Sequence, residues 1–584
     1  MTDIGRCAFS DCDRLTDIII PDSVTSIGHE AFSDCTALTN ITIPDSVTHI
    51  GIEAFSDCFG LTTATLSGDI GSSAFNNCYN LTSVTILEGA KTIGDYAFQY
   101  CSSLTDITIP NSVTRICEGA FSDCDSLTNI TIPDSVTSIE AGAFSGCDSL
   151  GNVVIPGNLT NWERAFSDCA GLTGVVISEG VTNIAESTFE GCTGLTDITI
   201  PDSVTSIEEA AFLDCVSLNN ITIPDSVISI GYKAFSGCDS LGDVVIPGNL
   251  TNWEGAFLDC DGLTSVTISE GVASIEAESF RSCGNLGNLV IPDSVTSIEK
   301  YAFSGCIGLT NITIPDSVTS IGSSAFSGCT GLSDVTIPSS VTSIEGGAFS
   351  GCSSLTSITI PDSVTSIGAG AFSRCNSLES ITLPFVGHAF NSPDKRFFAT
   401  IFSSSDDTVD TAYQSVPSSL KKVTITGGIR IETNAFYKCS SIEEVVITGG
   451  VKAISSDAFA YCTNLRSITI PESVTDVEPN AFYRCDLLTI KGVENSAAER
   501  FAQEWNIPFE YLTHDPGSSG IGDVDGNGAV DITDVMATCK ILARAAGGTP
   551  PTPAEVQAGD LDGSGTVDIL DVMAICKILA SQNA

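Results

Sequence analysis

The sequence LTNITIPDSVTSIGSSAFSGC, from Leu309 to Cys329, is one copy of a repeat that accounts for most of the chain. The next copy begins at Leu332, and nearly all steps between the closing cysteines are 23 residues, with two of 22 and one of 20. A fixed period of this length predicts a solenoid of stacked coils. The closing cysteines are Cys12, Cys35, Cys58, Cys78, Cys101, Cys124, Cys147, Cys169, Cys192, Cys215, Cys238, Cys260, Cys283, Cys306, Cys329, Cys352, Cys375, Cys439, Cys462 and Cys485.

The apolar residues of this copy predict how one coil folds. Residues 311–314, Asn-Ile-Thr-Ile, alternate polar and apolar side chains, which favours a half-buried strand. Pro315 lacks an amide hydrogen and should end that strand. Residues 318–321 form a second extended piece, Gly322 allows a turn, and Ala325 and Phe326 fill the coil. Burial of eight apolar side chains stabilises by roughly 12–20 kcal/mol, less than the backbone entropy of ordering 23 residues at about 1–2 kcal/mol each, so the coils must stack.

Charge and composition exclude several function classes. The chain has 584 residues and a net charge of −49, which argues against nucleic acid and against direct docking on anionic membranes. No stretch of the sequence is long and apolar enough to cross a bilayer. The four histidines stand in no motif, and the sequence contains no nucleophile elbow, zinc pair or phosphate loop. We therefore expect no enzymatic activity.

The tail of the chain contains two calcium-loop patterns, DVDGNGAVDITD at 523–534 and DLDGSGTVDILD at 560–571. Each has oxygen ligands at positions 1, 3, 5, 9 and 12, a backbone carbonyl at position 7 and glycine at position 6, which predicts two bound Ca²⁺ ions. Position 12 is Asp rather than the Glu usual in EF-hands, and an apolar helix should follow each loop. The predicted ligands are Asp523, Asp525, Asn527, Ala529, Asp531 and Asp534, then Asp560, Asp562, Ser564, Thr566, Asp568 and Asp571.

The repeat pattern L-x-x-I-x-I-P-x-x-V-x-x-I-G-x-x-A-F-x-x-C closely resembles the BspA-like leucine-rich repeats of bacterial surface proteins. The resemblance extends from residue 1 to about 512, with Pro after the strand where common leucine-rich repeats have Asn. It implies a right-handed leucine-rich-repeat solenoid of short parallel strands. It also implies binding, often adhesion, to a protein or glycan ligand that the sequence does not name.

The duplicated loop and helix resemble a type I dockerin, a small all-α calcium-loop domain that binds the cohesin modules of scaffoldins, typically in cellulosomes of anaerobic bacteria. The resemblance implies that positions 10, 11, 17 and 18 of each segment contact the cohesin. Those residues are Ile532, Thr533, Cys539 and Lys540, then Ile569, Leu570, Cys576 and Lys577. The pairs Ile-Thr and Ile-Leu are more apolar than the Ser-Thr of well-known clostridial dockerins, which indicates a cohesin of another specificity type.

Together these patterns predict five segments. Solenoid coils occupy residues 1–383, an irregular insertion 384–420, further coils and a cap 421–512, a linker 513–520, and the type I dockerin 521–584. The cap should contain an amphipathic helix followed by an extended stretch. The insertion is either a functional element or a structural joint, since inserts ending like VPSSLKKVTITGG occur in other BspA-like chains.

Three other features of the repeats have two interpretations each. The acidic residues after the strands form either a solubilising rim or a site for a cation or a basic partner: Asp22, Asp45, Asp134, Asp202, Asp225, Asp293, Asp316 and Asp362. Trp162 and Trp253 are either ligand positions or core residues, and the core is favoured because they lie near the Ile slot. The ladder cysteines are near enough for disulfides, but their apolar slot favours buried free thiols.

These observations predict a non-catalytic binding subunit that a calcium-dependent dockerin attaches to a scaffoldin while the solenoid binds a ligand. The alternative is a cell-surface adhesin for host or neighbouring-cell proteins. Both predict an extracellular location, in the first case a cell-surface cellulosome. Because the chain begins in the back half of a repeat, at MTDIGRCAFSDC, we expect that an upstream segment with the signal peptide precedes it.

Overall fold

The computed structural model describes residues 2–387, 397–403, 412–512, 535, 537–542 and 572. The chain divides into two compact units. The first contains residues 2–317 and 328–330, and the second contains residues 318–327 and the described residues from 331 onward. Each unit is a solenoid of short coils, in which a coil contributes up to two parallel strands to two separate rows. The parallel-strand solenoid predicted from the 23-residue period is confirmed.

The first row of strands comes from the alternating x-I-x-I stretch, such as the Asn-Ile-Thr-Ile of 311–314, in most repeats. Neighbouring strands pair in parallel one repeat apart, as when Val153 pairs with Val175 and Val175 with Ile198. In the first unit the row contains Asn40–Thr42, Thr63–Leu66, Ser83–Ile86, Asp106–Thr108, Asn152–Ile155, Gly174–Ile177, Asp197–Thr199, Asp243–Ile246, Ser265–Ile268, Asn288–Val290 and Asn311–Thr313. In the second it contains Asp334–Thr336, Ser357–Thr359, Ser380–Leu383, Lys422–Ile425, Glu444–Ile447, Ser467–Thr469, Thr489–Gly492 and Phe509–Tyr511.

The second row comes from the S-I pair before the glycine slot, so the predicted extended piece is only two residues long. In the first unit it contains Asp3–Ile4, Ser26–Ile27, His49–Ile50, Asp69–Ile70, Thr92–Ile93, Arg115–Ile116, Ser138–Ile139, Asn183–Ile184, Ser206–Ile207, Ser229–Ile230, Ser274–Ile275 and Ser297–Ile298. In the second it contains Ser320–Ile321, Ser343–Ile344, Ser366–Ile367, Arg430–Ile431, Ala453–Ile454 and Asp476–Val477. The isoleucine of nearly every pair points into the core.

The core of each coil contains the Ala-Phe pair and the closing cysteine, both carried on turns. In the first unit successive phenylalanine rings stack with centroids 5.0–5.9 Å apart, beginning with Phe9 on Phe32. Each turn also bonds to the next coil through its backbone, as when the Phe32 amide donates to the Ala54 carbonyl at 2.8 Å. The described ladder cysteines are free thiols, and all of them except Cys12 are buried.

Trp162 and Trp253 are core residues, as the interpretation from the Ile slot favoured. Both are fully buried. The Trp162 indole nitrogen donates to the Asn183 carbonyl at 3.2 Å, and its ring meets the edge of Phe189 at 5.8 Å. Trp253 meets Phe280 in the same way at 5.4 Å. Neither indole is available to stack on a ligand.

The described part of the insertion replaces a missing core turn. It includes a 3₁₀ helix, Phe398–Ile401, and a second one, Tyr413–Ser415. The Phe398 ring stacks on Phe436 at 4.8 Å, and on the other side the Phe372 amide donates to the Ile401 carbonyl at 2.8 Å. These contacts support the structural-joint interpretation for this stretch, while 388–396 and 404–411 lie outside the described residues.

One α-helix, α1, spans Ala497–Trp505 and follows the last cysteine coil. The Ser496 hydroxyl accepts a hydrogen bond from the Glu499 amide at 3.2 Å and so caps the helix. Strand Phe509–Tyr511 then pairs with Thr489–Gly492 in parallel. The predicted helix and extended stretch are both present. In the part of the chain that the structure describes, no helix has the length and apolar character needed to span a bilayer.

Candidate ligand-binding surfaces

Most of the residues predicted to bind calcium or cohesin lie outside the described residues. This applies to all twelve predicted calcium ligands, from Asp523 to Asp571. It applies also to the predicted cohesin contacts Ile532, Thr533, Ile569, Leu570, Cys576 and Lys577. The two remaining predicted contacts, Cys539 and Lys540, are described.

Cys539 and Lys540 lie on a helical stretch, residues 537–542, and both are exposed. Thr538 and Ile541 of the same stretch are buried. Residues three apart share one face of a helix, so Thr538 and Ile541 mark the inward face and leave Cys539 and Lys540 directed away from it. A protein partner can therefore reach both predicted contact residues.

The outward positions of the first-row strands form a polar face with apolar exceptions. In the first unit Asn40 Oδ1 accepts from the Thr63 hydroxyl at 2.6 Å, which fixes polar side chains along the row. Most of these outward positions carry small polar residues, as at Asn311 and Thr313. Four valines at outward positions are more than half exposed: Val154, Val176, Val245 and Val290. The V-V-I and L-V-I stretches of the sequence already contained this feature.

The aspartates that follow the first-row strands are exposed and lie in a turn. In each P-D-S-V turn the valine amide donates to the proline carbonyl, as from Val47 to Pro44 at 3.0 Å. The serine hydroxyl then bonds to the preceding coil, as from Ser46 to the Val24 carbonyl at 2.7 Å. Among the described residues, none of these aspartates belongs to a group whose ligand atoms could share one ion. This favours the solubilising-rim interpretation over a cation site and leaves the basic-partner interpretation a prediction.

Asp95, Cys117 and Glu140 of the first unit form the one such group among the described residues, with ligand atoms within 4.8 Å of one another. Burial, followed by the nearby Glu140 carboxylate, raises the pKa of the Cys117 thiol to about 11. Arg115 already pairs with Glu140, its Nε donating at 2.6 Å. The thiol is therefore protonated at neutral pH and one carboxylate is neutralised, so the group is a satisfied polar cluster.

A cavity of about 300 Å³ lies in the second unit between the last cysteine coil and α1. Sequence reasoning missed it, because its residues come from one coil, the helix and the loop after the helix. Its lining combines aromatic and apolar side chains with polar ones: Asn480, Phe482, Tyr483, Arg484, Cys485, Asp486, Leu488, Phe501, Trp505, Asn506, Ile507 and Pro508. Apolar pockets with a few polar groups are the usual form of small-ligand sites.

Two protein families match the sequence. The family described as BspA type leucine rich repeat region (6 copies) matches residues 2–86, 68–196, 162–286, 273–398 and 401–489, which is most of the chain. The family described as dockerin type I domain matches residues 521–580. No curated protein matches the chain. Both families are binding modules rather than catalytic ones.

Several solved structures are similar to the chain. A leucine-rich repeat protein from Bacteroides ovatus is 27 % identical, and the match covers 59 % of this chain and 87 % of that one with a TM-score of 0.46. One from Eubacterium ventriosum is 24 % identical, covering 54 % and 88 % with a TM-score of 0.34. The leucine-rich repeat protein of T. pallidum is 26 % identical, covering 38 % and 86 % with a TM-score of 0.27.

The family match and the coil architecture agree. The matched segments cover coils of both units, and the strands, turns and cysteines of these coils are the elements that the repeat pattern predicts. The chain belongs to the BspA-type leucine-rich repeat family and carries a type I dockerin domain.

Proposed function

We propose that this chain is a non-catalytic binding protein that attaches to the cohesin module of a scaffoldin through its dockerin and presents the solenoid to a ligand. The match of residues 521–580 to type I dockerins carries the proposal. The exposure of Cys539 and Lys540, two of the expected contact residues, supports it. Attachment to a scaffoldin makes the chain an extracellular component of a cell-surface cellulosome.

The cohesin-binding form of the tail contains two calcium ions. Asp523, Asp525, Asn527, Asp531 and Asp534 supply the side-chain oxygens of the first loop. Asp560, Asp562, Ser564, Asp568 and Asp571 supply those of the second, and the carbonyls of Ala529 and Thr566 complete the sets. The many carboxylates of each loop repel one another without the ion, so calcium binding contributes folding free energy to this domain.

The test is capture of the intact chain by immobilised type I cohesin modules, with calcium and with a chelator. We expect capture in calcium and loss of capture in chelator. The double variant Asp523→Ala, Asp560→Ala should lose capture, because each loop loses the ligand at position 1. The matched control is Asp45→Ala, Asp316→Ala, which removes the same charge from the rim and should leave capture unchanged. Capture that is equal with and without calcium contradicts the proposal.

The solenoid contributes a protein-binding surface, as leucine-rich repeats generally do. Its first-row face in the first unit presents Val154 beside Val176, which are register partners in neighbouring strands. Exposed apolar side chains within a polar face are the usual centre of a protein interface. This pair is therefore the part of that face best suited to contact a protein.

A further inference from the structure

Neither cohesin binding by the dockerin nor ligand binding by the first-row strand face involves the cavity between the last cysteine coil and α1. We propose that this cavity, with the tyrosines that lead to it, binds a linear neutral oligosaccharide. This inference names the chemical class of one ligand of the solenoid, so it rests on the proposal that the solenoid binds a ligand. It does not depend on cohesin binding.

An exposed tryptophan forms one wall of the cavity. Trp505, the last residue of α1, stacks on Phe501 at 5.9 Å with an angle of 25° between the rings. Phe501 is buried and meets the edge of Phe482 in the coil below at 5.7 Å. The indole is therefore held in place from below, yet 44 % of Trp505 remains exposed. A fixed, exposed aromatic surface suits a flat apolar ligand face, such as the C–H face of a pyranose ring.

Exposed polar side chains surround this wall. Asn480, Arg484, Asp486 and Asn506 all line the cavity. Within the part of the chain that the structure describes, none of their side chains has a hydrogen bond or an ion pair. A carboxylate only accepts, a guanidinium only donates, and an amide does both. Sugar hydroxyls both donate and accept, so they can pair with each of these kinds of group.

A track of tyrosines leads to the cavity across three consecutive coils. Tyr437, Tyr461 and Tyr483 meet edge to face, with centroids 5.6 Å and then 5.5 Å apart. Tyr483 also lines the cavity, and the Arg484 guanidinium lies 6.0 Å from its ring centre. The stacking of coils thus sets a ring spacing close to the length of one pyranose residue. A linear chain of sugars fits this track better than a single sugar does.

Proline-rich peptides also bind aromatic-lined grooves, but they fit this site less well. Proline has no amide hydrogen, so a proline-rich segment offers the exposed Asp486 carboxylate no backbone donor, whereas a sugar offers it hydroxyl groups. Nucleic acid bases stack on aromatic rings too, but their phosphates are repelled by a chain of net charge −49. The mixture of exposed acceptor and donor groups favours a neutral ligand rich in hydroxyl groups, which can pair with both kinds.

The tryptophans provide a direct assay on the intact chain. Trp162 and Trp253 are fully buried, so acrylamide quenching of fluorescence reports on Trp505. Cellohexaose, xylohexaose and mannohexaose are the probes, with decaproline as the competing ligand class. We expect at least one hexaose to protect Trp505 from acrylamide and decaproline to give no protection. Calorimetry with the same hexaose supplies the affinity.

Three variants locate the site. Trp505→Phe keeps an aromatic ring on Phe501 but removes the exposed indole, so the fluorescence that the hexaose protects from acrylamide should disappear. Tyr483→Ala should weaken hexaose binding about tenfold. Tyr100→Ala is the matched control, because Tyr100 is exposed to nearly the same degree as Tyr483. Like Tyr461, it directly precedes its ladder cysteine. It should leave hexaose binding unchanged.

Protection by decaproline, failure of all three hexaoses to protect Trp505, or equal losses in Tyr483→Ala and Tyr100→Ala would overturn the proposal. Cohesin capture of the same preparation is scored separately. Capture without hexaose binding rejects the oligosaccharide site alone, and hexaose binding without capture rejects the cohesin assignment alone.

Discussion

At the residue scale, the ladder cysteine combines two properties that other small side chains lack. It fills an apolar slot, and its thiol donates to the phenylalanine carbonyl of the preceding coil, as from Cys58 to Phe32 at 3.1 Å and from Cys462 to Phe436 at 3.0 Å. The same carbonyl also accepts from the cysteine amide of its own coil, as Phe32 does from Cys35 at 3.3 Å. Alanine would therefore remove only the bond from the thiol, and a hydroxyl would cost more to bury. The sequence predicted the burial but not the hydrogen bond, because the acceptor depends on how neighbouring coils are aligned.

Burial predicts which thiols react in the native protein. Cys7 and Cys539 are exposed, whereas every ladder cysteine from Cys35 to Cys485 is buried. A disulfide reagent at pH 8 should therefore modify Cys7 and Cys539 quickly and the ladder only in denaturant. Mass spectrometry of labelled peptides measures this, with the urea-unfolded chain as the control in which all 24 cysteines react. Fast labelling of most ladder cysteines without denaturant would contradict the buried ladder.

The same burial predicts a loss of stability at alkaline pH. Desolvation raises the pKa of the thiols of Cys58, Cys329, Cys375 and Cys439 to about 12. An exposed thiol has a pKa of about 8.5. Between these values the unfolded chain releases protons that the folded chain keeps, so the free energy of unfolding falls as pH rises, by about 1.4 kcal/mol per pH unit for each thiol. The urea midpoint should be constant from pH 6 to 8 and decline steadily above pH 9; an unchanged midpoint at pH 10.5 would refute this.

At the element scale, the repeat pattern predicted the strands, turns and core residues of the coils. The helix and strand that follow the last cysteine coil lie outside this pattern. The helix was predicted from its amphipathic residues, but its start depends on a capping arrangement. The Ser496 hydroxyl accepts from the Glu499 amide, and the Glu499 carboxylate accepts from the Asn495 amide at 2.6 Å. The Ser-Ala-Ala-Glu sequence at 496–499 matches the capping-box pattern, so the sequence contained the signal for this boundary.

Removing this cap should loosen α1 without unfolding the coils. Ser496→Ala deletes the acceptor for the Glu499 amide and should destabilise the helix by about 1 kcal/mol. Hydrogen exchange of the amides of 497–505 should become faster, while exchange in the coils of the first unit stays unchanged. Ser496→Asp restores an acceptor at the cap and should restore slow exchange. Equal exchange in Ser496→Ala and the native chain would show that packing of Phe501, rather than the cap, holds the helix.

At the scale of the whole molecule, regularity decides what a sequence can predict. A 23-residue period repeated along the chain predicts coil, strand rows and core, because every copy gives the same information. The cavity beside Trp505 has no such repetition. It is formed by residues 480–488 and 501–508, which are brought together only by the fold of the cap. The insertion was ambiguous for the same reason, since the contacts of Phe398 and Ile401 cannot be read from a periodic pattern.

The duplicated tail leads to a prediction about how the whole chain binds its scaffoldin. Both segments carry an isoleucine at position 10 and a Cys-Lys pair at positions 17 and 18. We expect a half-turn of the domain to place the second set where the first had been, so that either set could provide an apolar anchor with a flanking charge. The segments differ at position 11, where Thr533 corresponds to Leu570, which favours one orientation without excluding the other.

We therefore expect Ile532→Ala with Lys540→Ala to bind a type I cohesin within a few-fold of the native chain, because Ile569 and Lys577 remain. The quadruple variant, which also replaces Ile569 and Lys577, should lose about 3 kcal/mol of binding free energy, roughly a hundredfold in affinity. Calorimetry on the intact chain with saturating calcium measures both, and the Ile569→Ala, Lys577→Ala variant is the matched control. If the first double variant alone abolishes binding while its control does not, the two sets are not equivalent, and the chain attaches in a single orientation set by its first segment.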